Sequence, residues 1–312
     1  MSSQTTPATA TASDSASPLI VLAGANGALG LLIAHHLRQR GAAVRALLRP
    51  ASTGTAEAES LRLQGVEVRP TDYARVADLT EACAGASCVI SALSGLRETI
   101  VDTQSRLLDA AVAAGVPRFI PSDFSADFTQ LPEGSNRNFD FRREFQRRLD
   151  EADIQATSIL NGMFMDLLTG DAPLILQGPR RVLYWGDADQ PLDFTTMVDT
   201  ANYTAAAALD SRTPRYLRIA GDVRSPRGLQ AAASAATGQQ YKLLRAGSLS
   251  FLAGMIKLTR FLVPGKDEVF PPWQGMQYMH NMLTGQAKLT SLDNARYPDI
   301  SWTKVEDILP RK

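Results

Sequence analysis

The stretch VLAGANGALG, residues 21–30, carries a run of apolar residues into three glycines spaced three apart. Its apolar start reads as a buried strand that ends at Gly24, and a helix opens over Gly27–Gly30. Gly24 allows the sharp turn, Gly27 lets the backbone approach a diphosphate with no Cβ in the way, and Gly30 lets the helix pack closely on the strand. The helix N-terminus then offers free N–H groups to an anion. Three glycines alone also fit a merely tight turn, so the reading depends on what surrounds them.

On either side, short apolar runs alternate with helical stretches, the reading order of a parallel sheet flanked by helices. Strands are expected at 19–23, 43–48, 66–69, 88–91, 119–121 and 157–160, with helices at 29–39, 57–64, 77–84, 99–114 and 140–151. The strands are short and nearly continuous in apolar character, which fits burial on both faces. The fold class is therefore α/β: a Rossmann-type doubly wound parallel sheet with a smaller, mostly helical C-terminal substrate lobe. Residues 1–17 form a tail of Ser, Thr and Ala, expected to be disordered. Residues 18–165 form the dinucleotide-binding domain and 166–312 the lobe, with allowance for segments of the lobe returning to the first domain. In the lobe, helices are expected at 197–209, from the Ser225–Pro226 cap to Gly238, at 248–262 and at 273–283.

Composition narrows the function. Of 312 residues, 45% are hydrophobic, and 32 basic residues balance 32 acidic ones. No basic excess marks a nucleic-acid surface and no segment is long and apolar enough to span a bilayer, so nucleic acid and membrane are excluded as principal partners. The tail lacks the features of a secretory signal or transit peptide, which leaves the cytoplasm as the expected compartment. Cys83 and Cys88 have no neighbouring histidine and read as buried small residues, so no metal site is expected.

The tip of the second strand reads LLRPAST. A site for NAD usually places an acid there to hold the ribose hydroxyls, but this chain has Arg49 and no acid before Glu57. A guanidinium suits a 2′-phosphate through charge-assisted hydrogen bonds, which points to NADP(H), with Ser52 and Thr53 adding hydroxyls.

The spacing of GANGALG, with LLRP, GVEVRPTDY, CVISALSG and RFIPSDFS further on, resembles the NmrA-like group of atypical short-chain dehydrogenases, which includes isoflavone and phenylcoumaran benzylic ether reductases. The resemblance implies that Gly24, Asn26, Gly27, Ala28, Leu29 and Gly30 hold the diphosphate, Arg49 the adenosine phosphate, and Asp72 the adenine side. Ser91, Leu93 and Ser94 would run beside the nicotinamide ribose, with Ser122, Asp123 and Phe124 near the ring. Met163 and Phe164, after the sixth strand, and Met276, in a stripe with Trp273, Met279 and His280, read either as core or as the apolar wall of a substrate pocket.

In that family a lysine on the helix after the fifth strand serves as general acid or base. In this chain the matching stretch is FDFRREFQRRLDEADI, which places Arg142 or, one register on, Arg143 at that position, and no lysine occurs before Lys242. Arginine anchors or polarises a substrate but is a poor proton donor. None of the seven tyrosines has a lysine four residues on, which removes the other proton device of the superfamily. If a proton must move, Asp123, Tyr184 or water remains to carry it. The run RREFQRRLD reads as a solvated helix face with a Glu144–Arg148 pair. Two functions follow: an NADPH-dependent reductase of a small apolar or aromatic carbonyl, enone or benzylic ether, or a sensor that binds NAD(P) without turnover and signals to a protein partner.

Overall fold

The computed structural model describes residues 17–170 and 174–310, so the expected disordered tail lies almost wholly outside the described residues. From the N-terminus run β1 (Leu19–Ala23), α1 (Ala28–Gln39), β2 (Ala43–Leu48), α2 (Ala56–Leu63), β3 (Glu67–Pro70), α3 (Val76–Cys83), β4 (Cys88–Ser91), α4 (Gln104–Ala113), β5 (Arg118–Ile120), α5 (Arg137–Glu151) and β6 (Gln155–Ala156). The strands form one six-stranded parallel sheet in the order β3-β2-β1-β4-β5-β6. Alternation along β1 sends Ile20 and Leu22 to one face of the sheet and Val21 and Ala23 to the other, each into its own core. Cys83 and Cys88 are free and buried, and burial pushes both thiols up to about 12, so they pack as small apolar groups.

Three sequence expectations for this half need correction. The strand expected over 157–160 forms as β7 (Ser158–Leu160) but in another sheet, and the sixth strand of the parallel sheet is the earlier β6, whose register with β5 ends at Ala156. The expected Glu144–Arg148 pair is absent: Glu144 pairs with Arg97 and Arg148 with Asp109. α5 packs beside α4, so partners across the helix gap are nearer than partners along the helix. The expected helix over 99–114 opens with a π-helical turn, Glu98–Thr103, before α4.

Beyond β7 come β8 (Met163–Phe164), β9 (Ile175–Leu176), β10 (Arg181–Trp185), β11 (Leu192–Thr195), α6 (Met197–Leu209), β12 (Tyr216–Arg218), β13 (Asp222–Arg224), α7 (Pro226–Thr237), β14 (Lys242–Gly247), α8 (Leu249–Leu262) and α9 (Pro272–Leu283). They add small sheets, β14-β10-β9 and β13-β11-β8, to the helices of the C-terminal region. α6 and β12 return to the first half. The alanines of α6 let it lie close against α1, and β12 pairs with β7. Buried Arg118 of β5 donates to the carbonyls of Ala207 and Ala208 at the end of α6, complementing the negative end of that helix. α7 starts and stops as its residues dictate: Ser225 Oγ accepts from Gly228 N, Pro226 opens the first turn, and Gly238 closes it in the left-handed conformation.

Candidate functional site

The order of strands reverses between β1 and β4, and the crevice at their carboxyl ends is where an open α/β sheet takes a ligand. The three glycines of the first turn play different parts there. Gly24 has φ +77°, and a Cβ on it would stand 2.5 Å from the Ala92 carbonyl oxygen. A Cβ on Gly30 would stand 2.1 Å from the Gly24 carbonyl oxygen, so both positions are fixed by packing. Gly27 is exposed, and its Cβ would meet only the Gly24 oxygen, at 3.4 Å. Packing does not require that glycine, and the space a side chain would fill is free for a ligand. Gly27 caps α1 without any side-chain bond, and Asn26 and Ala28 beside it are exposed, so a diphosphate fits the first-turn N–H groups. Leu29 is half-buried against the core.

At the tip of β2, Arg49 is exposed and its guanidinium has no hydrogen bond or ion pair among the described residues. The short helical turn Pro50–Ser52 follows it, and Thr53 Oγ1 is taken up by the Pro50 carbonyl at 2.9 Å. Asp72 is exposed; its Oδ1 accepts from Ala74 N at 2.9 Å in a turn-forming bond, and its Oδ2 has no partner among the described residues. Its neighbour Tyr73 stands where β1 and β2 end: its hydroxyl donates to the Leu47 carbonyl at 2.9 Å, and burial raises its pKa. Sequence reading considered Tyr73 only as a failed tyrosine–lysine pair. An aromatic residue directly after the β3 tip was the available signal for its place.

The ends of β4 and β5 are tied together. Ser122 Oγ donates to the Leu93 carbonyl at 2.7 Å, and Ser122 N donates to Oε1 of buried Gln104 at 2.9 Å. Ser94, just after β4, is exposed, whereas Ser91 is wholly buried, so its side chain does not reach a ribose. Phe124 is buried in the core that holds Ile120 and Ile159. Asp123 is also wholly buried; its Oδ2 accepts from Ser158 Oγ at 2.6 Å and Gln146 Nε2 at 3.0 Å. Burial pushes its carboxyl above the usual range, against the Ser158 bond, the Arg142 charge and the Gln146 bond. In this geometry Asp123 is an anchor for the turn after β5 and is out of reach of a substrate, which corrects its expected catalytic place.

The two arginines that the sequence left as alternatives point to different surroundings. Arg143 is spent on structure: it pairs with Asp140 at 2.7 Å and donates to the carbonyls of Phe128 and Leu131. Arg142 is half-buried beside the β5 turn, with Nε on the Ser122 carbonyl and Nη1 on that of Asn138, both at 3.2 Å. Its Nη2 makes no hydrogen bond among the described residues and keeps its N–H groups to offer, whereas Arg143 has both terminal nitrogens engaged and only Nε left over.

The N-terminus of α5 is held by amides. Asn136 Oδ1 caps Asn138 N and Phe139 N and also accepts from Gln274 Nε2 at 2.7 Å, while Asn136 Nδ2 donates to Asn281 Oδ1 at 3.2 Å. Gln277 Oε1 takes the Arg137 N–H. The three partners lie on one face of α9, which thereby seats the C-terminal region on the helix that carries Arg142. Of the expected substrate residues, Met163 and Met276 are half-buried against one apolar core, and Phe164 packs on the other side against the core under α1. Trp273 is buried between the guanidinium groups of Arg137 and Arg260, at 4.7 and 5.0 Å from its ring.

A family profile described as NmrA-like matches residues 16–255. The chain belongs to the NmrA-like family. It is similar to an NmrA-like family domain-containing oxidoreductase of Gibberella moniliformis, 28% identical over 222 residues that cover 66% of this chain and 72% of the relative. Among solved structures it is similar to AtPrR2 with NADP+ and (+)pinoresinol, with 22% identity, a TM-score of 0.78, and 94% of this chain and 98% of that one covered. It is also similar to isoflavone reductase, with 19% identity, a TM-score of 0.78, and 94% and 99% covered. These likenesses bear out the Rossmann-type sheet with its smaller C-terminal region and the family resemblance carried by the sequence motifs.

Proposed function

We propose that this NmrA-like protein is an NADPH-dependent reductase of a small apolar or aromatic carbonyl, enone or benzylic ether. The observation that carries the reading is the Arg49 guanidinium, without a partner among the described residues, at the tip of β2, the parallel neighbour of the strand that leads into the open turn at Gly27. The AtPrR2 structure, with its NADP+ and (+)pinoresinol, supports a site of this kind. Here Arg49 takes the 2′-phosphate, the first turn of α1 takes the diphosphate, and Ser94 and the Ser122–Leu93 tie border the nicotinamide end. The bound cofactor supplies the hydride. Arg142 directs its remaining N–H toward a substrate oxygen and stabilises negative charge there; because guanidinium keeps its proton, it donates none. Asp123 holds the turn in place, and Met163 and Met276 with Phe164 supply apolar contact.

A second reading rests on the absence of lysine before Lys242: the chain binds the dinucleotide and reports redox state to a protein partner. Calorimetric titration with NADPH, NADP+, NADH and NAD+ tests both. A reductase binds the phosphorylated pair about ten to a hundredfold more tightly than the other pair, with the reduced form at least as strong. Arg49→Glu abolishes that preference and leaves the melting temperature in place; an unchanged preference sinks the phosphate assignment. Tighter binding of the oxidised forms, with no NADPH consumed across a panel of enones and aromatic ketones, selects the sensor.

A further inference from the structure

α8 is apolar on two sides. Leu252, with Leu249 and Ile256, packs into the C-terminal core, while Phe251, Leu258 and Leu262, which recur at spacings of seven and four, stand in solvent on another side. Phe261 is 82% exposed and Phe270, at the far end of the loop that leads from this helix to α9, 65%. Together the three phenylalanines leave on the order of 400 Å² of apolar surface in water, comparable with the whole largest patch of an ordinary monomer. The same segment has a lopsided charge. Between Gly228 and Lys266 the sequence has no aspartate or glutamate, in a chain that is neutral overall. The basic residues there, Lys242, Arg245, Lys257, Arg260 and Lys266, are all exposed, and none makes an ion pair among the described residues. Arg260 is the one that also leans on a ring, that of Trp273.

We propose that α8, with β14 and the 263–270 loop, is a docking face for an anionic lipid surface, on which the phenylalanines and leucines enter the interface and the five cations meet the headgroups. Charge complementarity decides the occupant. A second copy of the chain, related by a two-fold axis, would set these five cations against their duplicates with only Asp267 and Glu268 of the loop to meet them. No helix among the described residues is long and apolar enough to cross a bilayer. The sequence-based exclusion of membranes rested on that criterion, which says nothing about a face that lies on a surface.

Sedimentation of the full-length protein with phosphatidylcholine vesicles, plain or containing about a third phosphatidylglycerol, tests the proposal. The expected result is binding to the anionic vesicles only, weakened by salt. Replacing Lys242, Arg245 and Lys257 together by glutamine should weaken it by about fivefold per charge, roughly a hundredfold in all. Phe261→Ser should weaken it further while NADPH affinity and melting temperature stay unchanged. Equal binding to both vesicle types, or none to either, overturns the proposal. Self-association of the wild type that Phe261→Ser abolishes overturns it in favour of a second copy. Binding to an acidic amphipathic peptide without vesicle binding overturns it in favour of a protein partner.

Discussion

The parallel-sheet half and the C-terminal region treat their apolar and polar groups in opposite ways. In the first, β1, β4 and β5 bury nearly every side chain, and the aromatic residues Phe119 and Phe145 meet inside with ring centres 6.2 Å apart. In the second, every phenylalanine among the strongly exposed side chains is found, at 251, 261 and 270, while amides from Gln274, Gln277 and Asn281 are drawn inside to meet Asn136. The first half is thus held by burial, which is strong and has no direction, whereas the contact of α9 with α5 adds to its apolar packing, with Tyr278 edge-on to Phe139 at 4.9 Å, a set of hydrogen bonds that fix an orientation. The crevice at the carboxyl ends of β1 and β4 lies over the first kind of structure.

Three substitutions sharpen or break this contrast. Phe119→Ala should have the largest effect, about 3–5 kcal/mol of stability lost in urea unfolding, because the ring is wholly buried and its removal leaves a cavity. A loss below about 1 kcal/mol would mean that the sheet half is packed more loosely than its burial indicates. Asn136→Ala should cost about 2 kcal/mol, since it strips the cap from α5 and leaves the Gln274 and Asn281 amides without their partner. Hydrogen exchange should then quicken at the start of α5 and in α9, with β1 and β4 unchanged; uniform quickening would dissolve the distinction between the two halves. The smallest effect is a slope. The Asp123 carboxyl is held above its ordinary 3.8 by burial, so the folded state favours its protonated form. That contribution is fully present below 3.8 and is lost as pH rises through the raised folded value. Relative to Asp123→Asn, the wild type should therefore lose stability as pH climbs through this window. A wild type that gains stability there would show that the Ser158 and Gln146 bonds outweigh burial.

What the sequence disclosed follows the range of the interactions. The turn at Gly24–Gly30 is written in ten consecutive residues, and the caps of α7 in Ser225, Pro226 and Gly238, so each could be read locally. Arg142 and Arg143 differ by about 100° on the helix, and register alone cannot say which one meets Ser122 and which one Asp140. The placing of β7 in another sheet depends on Tyr216–Arg218, far along the chain, offering it a different edge. The partners of Glu144 and Arg148 come from Arg97 and Asp109 on neighbouring elements. Asn136 looks like a simple cap from its own neighbourhood, and only the packing of α9 makes it a junction. Each of these needed the fold before it could be seen.

The amide junction between α9 and α5 has a thermal consequence. Carboxamides that part exchange one hydrogen-bonding partner for water at small net free energy, whereas separated hydrocarbon carries the large heat-capacity change that makes apolar contacts fade on cooling. This stretch of the joint therefore keeps nearly the same grip across temperature. In the cold, where the apolar part of the seam around Tyr278 and Phe139 slackens first, these amides still seat α9 on the helix that carries Arg142.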